Sequence, residues 1–426
     1  MVLTDAERDE AGAWAVIRVA SGNFLEMYDF QVFGYYAAAI GATFFPSRDP
    51  FASLMASFAT FGVAFLMRPL GAVLLGAYAD RHGRRAGLLL TLALMSVGIV
   101  TLTVMPGYAV IGALAPAVIL LGRLLQGFSA GMELGGVSVY LAEIAPPRRK
   151  GFYTAWQSAS QQVAVVLAAV IGIVLASRLA PTAMNAWGWR VPLGVGCLIV
   201  PVLFALRRTL PETRAFAART TRPEWGHIFA GLAMHWRPIG IGILMTTLTT
   251  VTFYMSTVYT PAFGTRVLHL PALPVFVVTA AVGVSNFIWL PVMGAVSDRV
   301  GRKRVLLPIG VLMLVVAGPA MLWLVQAPSF GRLLAVELFF SFVFGAYNGA
   351  LVAFLTEVVP QHLRASGFSL AFSGATALFG GFTPAIATLL VHELRNPAAP
   401  ALWLMAAALV SVTAVLFAQP AAGAAA

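Results

Sequence analysis

Asn23, Glu26 and Asp29 follow one another at three-residue steps inside an apolar stretch, a spacing that keeps them near one face of a helix. Carboxylates withdrawn from water are costly unless they meet a cation or take up a proton, so the pair offers either proton coupling or an internal ion pair. Suitable cations stand at comparable depth in other apolar runs: Arg68, directly before Pro69, and Arg123. A guanidinium keeps its charge and presents a planar fork that matches a carboxylate. Two of them facing one cavity suit a polycarboxylate better than a sugar or a cation; the competing role is a lock on Glu26 or Asp29 that a bound acid displaces. Arg123, Gln126 and Glu133 fall on one helical stripe. Glu133 stands two turns beyond Gln126, too far to share a small ligand with Arg123, and is assigned to coupling or structure. Gln157 and Gln161 lie one turn apart with Ser160 beside them, able to donate to carboxylates and accept from hydroxyls, or to bond neighbouring helices.

In the second half of the chain, Asn286 and Asn348 are the candidates to orient a ligand, with Tyr254, Tyr259 and Tyr347 as further polar groups. Glu337 reads as a structural partner of Arg332 or another cation. Gly127, Gly131 and Gly135 form a small-residue ridge of the kind that lets helices approach closely.

These residues need a scaffold that holds charge away from water, and the composition names it. The 426 residues are 60% hydrophobic and 10% charged, with mean hydropathy +0.87, outside the range of water-soluble domains. The chain is expected to be an all-α membrane protein. Apolar runs of about 20 residues, each enough to cross a bilayer, are placed at 17–45, 52–78, 87–106, 113–143, 153–180, 189–208, 238–264, 273–297, 304–325, 331–358, 366–392 and 399–418.

The net charge of +11 does not form a nucleic-acid-binding arm. The cations fall in alternate turns, at Arg81, Arg84 and Arg85, at Arg148, Arg149 and Lys150, at Arg299, Arg302, Lys303 and Arg304, and at Arg364. The intervening turns hold only Arg48, Arg178, Arg266 and Arg395. By the positive-inside rule the first set faces the cytoplasm, with both termini. Residues 1–14 lack the basic start and short apolar core of a cleaved signal, so the amino terminus is expected to remain. The stretch 209–237, with Arg214, Arg219 and Arg222, reads as a cytoplasmic basic linker between six-helix halves at 1–208 and 238–426.

The halves echo each other. Gly76-Ala-Tyr-Ala-Asp80-Arg81-His-Gly83-Arg84-Arg85 returns as Gly294-Ala-Val-Ser-Asp298-Arg299-Val-Gly301-Arg302-Lys303. Leu141-Ala-Glu143 through Gly151-Phe152 is echoed by Leu355-Thr-Glu357 through Gly367-Phe368. Asp80 is expected to cap the following segment or to pair with a cation of the other half. Asp298, Glu143 and Glu357 would act similarly, so these turns belong to gating rather than to ligand binding.

The two turns, together with Gly122-Arg123-Leu-Leu-Gln126-Gly127, resemble the major facilitator superfamily over nearly the whole chain. Ser21-Gly-Asn23-Phe-Leu-Glu26-Met-Tyr-Asp29-Phe30, Met67-Arg68-Pro69-Leu-Gly71 and Gly131-Met-Glu133-Leu-Gly-Gly resemble its metabolite:proton symporter family. Arg123 to Glu143, followed by Lys150-Gly-Phe-Tyr-Thr-Ala-Trp156-Gln157-Ser-Ala-Ser160-Gln161-Gln162, is similar to bacterial citrate:proton symporters that also accept related tricarboxylates. The resemblance implies two pseudo-symmetric six-helix bundles and inward citrate:proton symport by alternating access in a bacterial inner membrane. Its alternatives are symport of a dicarboxylate, an aromatic acid or a zwitterionic osmolyte. A non-transporting carboxylate receptor is the alternative from another class, and no signalling domain stands within these residues to favour it.

Enzymatic chemistry finds no support. The six histidines are scattered, no His-Glu-x-x-His or nucleophile motif occurs, and the single Cys197 lies in an apolar run. No cofactor and no metal is expected. The expected partners are the bilayer, protons and a small carboxylate, with no nucleic acid and a monomeric chain.

Overall fold

The computed structural model describes residues 24–131, 133–146, 148–208, 236–359 and 364–419. Twelve rods run in chain order. They are α1 (Phe24–Tyr35, resumed as Ala37–Phe44), α2 (Pro50–Leu66, resumed as Arg68–His82), α3 (Arg84–Val104), α4 (Leu114–Ala130, resumed as Glu133–Ile144), α5 (Lys150–Arg178), α6 (Arg190–Arg208) and α7 (Trp236–Phe253, prolonged through two π-helical turns to Val267). The series closes with α8 (Ala272–Val300), α9 (Arg302–Gln326), α10 (Phe330–Val358), α11 (Arg364–Ala375, resumed as Thr383–Leu394) and α12 (Pro400–Phe417). Among the described residues 10 helices are long and apolar enough to cross a membrane. α1 and the first part of α4 are apolar too, but each is broken.

Local chemistry sets several of the ends. Asp49 accepts from the Phe51 amide at 2.9 Å ahead of Pro50, and Ser329 caps α10 through the Arg332 amide. The repeated turns share one backbone device. Gly83 (φ +100°) and Gly301 (φ +97°) open α3 and α9 in a conformation that only glycine adopts without strain. Gly301→Ala is therefore expected to cost about 1–3 kcal/mol, seen as a lower midpoint of thermal unfolding in detergent.

One core cluster draws chiefly on α7–α12 and the other chiefly on α1–α6. Glycines decide where rods touch. Gly127 of α4 packs on the backbone of Ala64, and Gly131 on that of Arg68, leaving no room for a Cβ. This contact lays α4 against the break in α2 and carries Arg68 inward. Gly151 and Gly294 meet in the same way, pressing α5 onto α8 across the halves.

Candidate functional site

Glu26 and Asp29 share a face of α1 but take different cations. Arg68 Nη2 donates to Glu26 Oε1 at 2.7 Å, and Arg123 Nη1 donates to Asp29 Oδ2 and to Gln126 Oε1, both at 2.6 Å. Both arginines are 1% exposed. The Phe30 ring lies 4.9 Å from the Arg68 guanidinium and 4.7 Å from that of Arg123; Phe65 covers the first cation and Phe33 the second. Aromatic faces hold the flat guanidinium planes and leave their edges for carboxylates.

The two pairs differ in access. Arg68 lines a central cavity of about 30 Å³, whose wall also includes Ser158 and Gln161 of α5, Thr249 and Thr250 of α7, and Asn348 of α10. Arg123 is not part of that wall. It sits behind Phe30 and Phe33 with Nε and Nη2 unbonded among the described residues. The cavity is drawn from both halves and has room for about two waters, so the rods are closed around it.

Of the residues expected at a site, Arg68, Gln161 and Asn348 meet at this cavity, and Arg123, Gln126 and Asp29 gather in the sealed cluster beside it. Gln157 instead accepts from Ser158 Oγ at 2.8 Å. Asn286 is also placed elsewhere: it donates to Gln162 Oε1 at 3.0 Å and accepts from Ser341 Oγ at 2.7 Å, tying α5 to α8 and α10. Its amide is spent on helix contacts rather than turned to the cavity. Glu337 departs from the expected pairing with Arg332. It bonds Thr260 of the α7 extension at 2.8 Å, while Arg332 donates to the Trp323 carbonyl. Asn23 and the side chains of Asp80, Arg81, Arg84 and Glu133 lie outside the described residues.

Ser158, Thr249, Thr250 and Gln162 were missed. The signal was available in Thr246-Thr-Leu-Thr-Thr-Val-Thr252, a dense hydroxyl run within an apolar span. Hydroxyls that bond back to their own helix pass as structural, and Thr250 does bond back to Thr246 and Thr247.

The cavity is shut at both ends. At the end bearing the repeated turns, Asp298 accepts from the Gly151 amide at 2.7 Å and the Phe152 amide at 2.9 Å, capping the start of α5 from the other half. Arg302 pairs with Asp298 at 2.7 Å and reaches Glu357 at 3.4 Å. Arg302 is the organising cation here; Arg299 is exposed, as is Glu143. At the opposite end Gln31 donates to Thr257 at 3.3 Å, Tyr35 and Tyr36 pack on Phe276, and the Phe51 ring lies 3.8 Å from that of His392. Beyond this seal opens a vestibule of about 440 Å³ lined by Tyr259, Ala262, Arg266 and His392 among others.

Asp298→Asn keeps the shape of the cap but loses its charge and one acceptor. A hydrogen bond to a charged group contributes about 1.5–3 kcal/mol, so the variant is expected to open this end at least about tenfold more often. The rate of modification of a cysteine introduced at Ala155 checks it.

Buried ion pairs around a small closed cavity shared by two six-helix halves, with separate seals at its two ends, are the build of a membrane transporter. The chain belongs to the Major Facilitator Superfamily, whose pattern matches residues 19–384. It is 58% identical over 405 residues to a citrate-proton symporter of Salmonella typhi, covering 95% of this chain and 93% of that one. It is 52% identical to a citrate-proton symporter of Klebsiella pneumoniae, over 95% of this chain and 91% of the relative. Among solved structures, a D-xylose-proton symporter matches with a TM-score of 0.75 at 19% identity, over 95% of this chain and 96% of that one, which speaks for the fold alone.

Proposed function

We propose that this protein is a proton-coupled symporter that imports citrate or a related tricarboxylate by alternating access. The observation that carries the reading is Arg68, a buried guanidinium at the wall of the cavity between the halves, held there by Glu26. A ligand carboxylate offers the same fork the same partner, so binding exchanges one ion pair for another and frees Glu26 to take a proton. The names of the two tricarboxylate-carrying relatives support the substrate class.

Energetics supplies the reason for coupling. A trianion entering against an inside-negative potential works against about 2.3 kcal/mol per charge per 100 mV, roughly 7 kcal/mol in all. Three accompanying protons cancel that charge, and more make uptake favourable. Glu26 and Asp29 are the proton carriers in this reading, with Glu133 as an accessory. Arg123 with Gln126, and Asn23, Gln157, Gln161, Asn286 and Asn348, contribute to binding directly or through the helices they tie.

Sidedness follows from the cations: the turns carrying Asp80 and Asp298 face the cytoplasm, with both termini, in a bacterial inner membrane. The halves at 1–208 and 238–426 rock about the cavity, joined by the linker 209–237, in a monomer that binds no nucleic acid. Purified protein in sealed vesicles should accumulate labelled citrate when the outside is made acidic. Equal accumulation with the proton gradient collapsed overturns the coupling, and inhibition by betaine but not by tricarballylate overturns the substrate.

A further inference from the structure

Glu337 is a buried carboxyl that the ion pairs of the first half leave unexplained. It is 4% exposed, and among the described residues its hydrogen-bond partner is Thr260 Oγ1 while its Oε2 has none. The hydroxyl of Thr260 carries a single proton yet lies within bonding distance of three oxygens: Glu337 Oε1 at 2.8 Å, the Ser256 carbonyl at 2.9 Å and the Met255 carbonyl at 3.2 Å. If Glu337 is ionised, the Thr260 proton must turn to it, and the carboxylate is buried on one hydroxyl without a cation. A neutral acid resolves both problems. Glu337 donates to Thr260 Oγ1, Thr260 donates to Ser256, and the remaining oxygen is an uncharged carbonyl, which is far cheaper to leave unpaired.

Among the described residues the surroundings offer no counter-charge. α8 over 272–296 and α9 over 305–326 carry no titratable side chain. On the remaining neighbours, Asp29 is held by Arg123, Arg332 by the Trp323 carbonyl, Tyr347 by the Met245 carbonyl, and His392 is stacked on Phe51. Tyr254 packs on Phe61 and Phe65, and Tyr259 and Arg266 line the vestibule. Tyr28 bonds the Pro192 carbonyl, Tyr35 and Tyr36 pack on Phe276, and Arg178 is exposed at the far end of α5.

The element between Glu337 and the vestibule is an irregular helix. Thr260 turns to Glu337, whereas Tyr259, Ala262 and Arg266 of the same segment line the vestibule. The segment Thr260–Ala262 is flanked by π-helical turns at Tyr254–Tyr259 and Phe263–Val267, a distortion frequent at functional sites.

We propose that Glu337 is a proton-binding site on the outer side of the second half, and that the outer end of α7 seals the base of the vestibule only when Glu337 carries its proton. The proton comes from the outer solution and returns to it when α7 swings away. Glu26 and Asp29 remain the carriers of the transported charge. Ionised Glu337 keeps the gate open because burying a carboxylate against one hydroxyl costs more than the closed packing returns.

The inference rests on the alternating-access reading but not on the substrate, so its test uses none. In Cys197→Ser protein, Ala262→Cys is placed in the vestibule wall, and its reaction with an impermeant maleimide is timed in right-side-out vesicles at a series of external pH values. The rate is divided by that of the same cysteine in Glu337→Gln, which removes the intrinsic pH dependence of the thiol. The ratio is expected to stay near one at acidic pH and to climb as pH rises, by up to about tenfold per unit once the gate follows one titrating group. A ratio constant across the range overturns the proposal. If Glu337→Gln fails to insert, rates are divided instead by that of a free thiol with the same maleimide at each pH, and Thr260→Val decides: with the acceptor for the neutral acid removed, the climb begins at more acidic pH than in the parent, and an unmoved onset overturns the proposal. A protein that gives the expected profile yet does not carry citrate sinks the substrate assignment and leaves this site standing.

Discussion

Arg68→Ala is expected to abolish citrate uptake, by at least about a hundredfold, in protein that still reaches the membrane. Two losses combine. The cavity loses its guanidinium, and Glu26, whose pairing with Arg68 spans 2.7 Å, is left inside the fold without that cation. Breaking a buried pair from one side costs about 3–5 kcal/mol, and each 1.4 kcal/mol is a factor of about ten in an equilibrium. Arg68→Lys should rescue little, because an ammonium neither stacks flat between Phe30 and Phe65 nor presents a fork. Initial rates in proteoliposomes, normalised to inserted protein, make the measurement; uptake above a tenth of the parent rate in Arg68→Ala would remove this residue from the site.

The second large effect separates stability from transport. Arg123→Leu leaves Asp29 buried without its cation and should lower stability by about 3–5 kcal/mol, enough to deplete the protein from the membrane. Adding Asp29→Leu removes the stranded charge. Replacing both members of a buried pair by apolar residues is often neutral or stabilising, so the double variant should return to near-parental abundance and melting behaviour while transport stays absent. The single and double variants, compared by thermal unfolding and by uptake, test this directly. Recovery of uptake in the double variant would reduce the Arg123–Asp29 pair to a structural tie.

Much of this protein could be read from the order of its residues. Apolar runs of bilayer length, cations in alternate turns and a motif stated twice require paired helical halves, since hydrocarbon offers backbone groups no partner outside a helix. The same logic singled out Glu26, Asp29, Arg68 and Arg123, because charge at membrane depth is too costly to be incidental. The glycines of the repeated turns were legible as well, and their positive φ values supply the reason.

Partnership was not legible. Which carboxylate met which guanidinium depended on α1 facing α2 and α4 at different heights, a matter of rod placement set by the Gly127 and Gly131 contacts. Asn286 and Asn348 looked alike as isolated amides in apolar runs. Only the packing of α5, α8 and α10 bonded one of them to Gln162 and Ser341 and left the other at the cavity. Glu337 likewise found a hydroxyl rather than Arg332 because the π-helical turns of α7 bring Thr260 to it. Residue order by itself determined that this chain crosses a membrane as duplicated helices with a few charges held inside. Tertiary structure alone decided which of those charges line the cavity and which are sealed, because a polar side chain's role is set by the neighbour it meets, and neighbours far apart in sequence are chosen by packing.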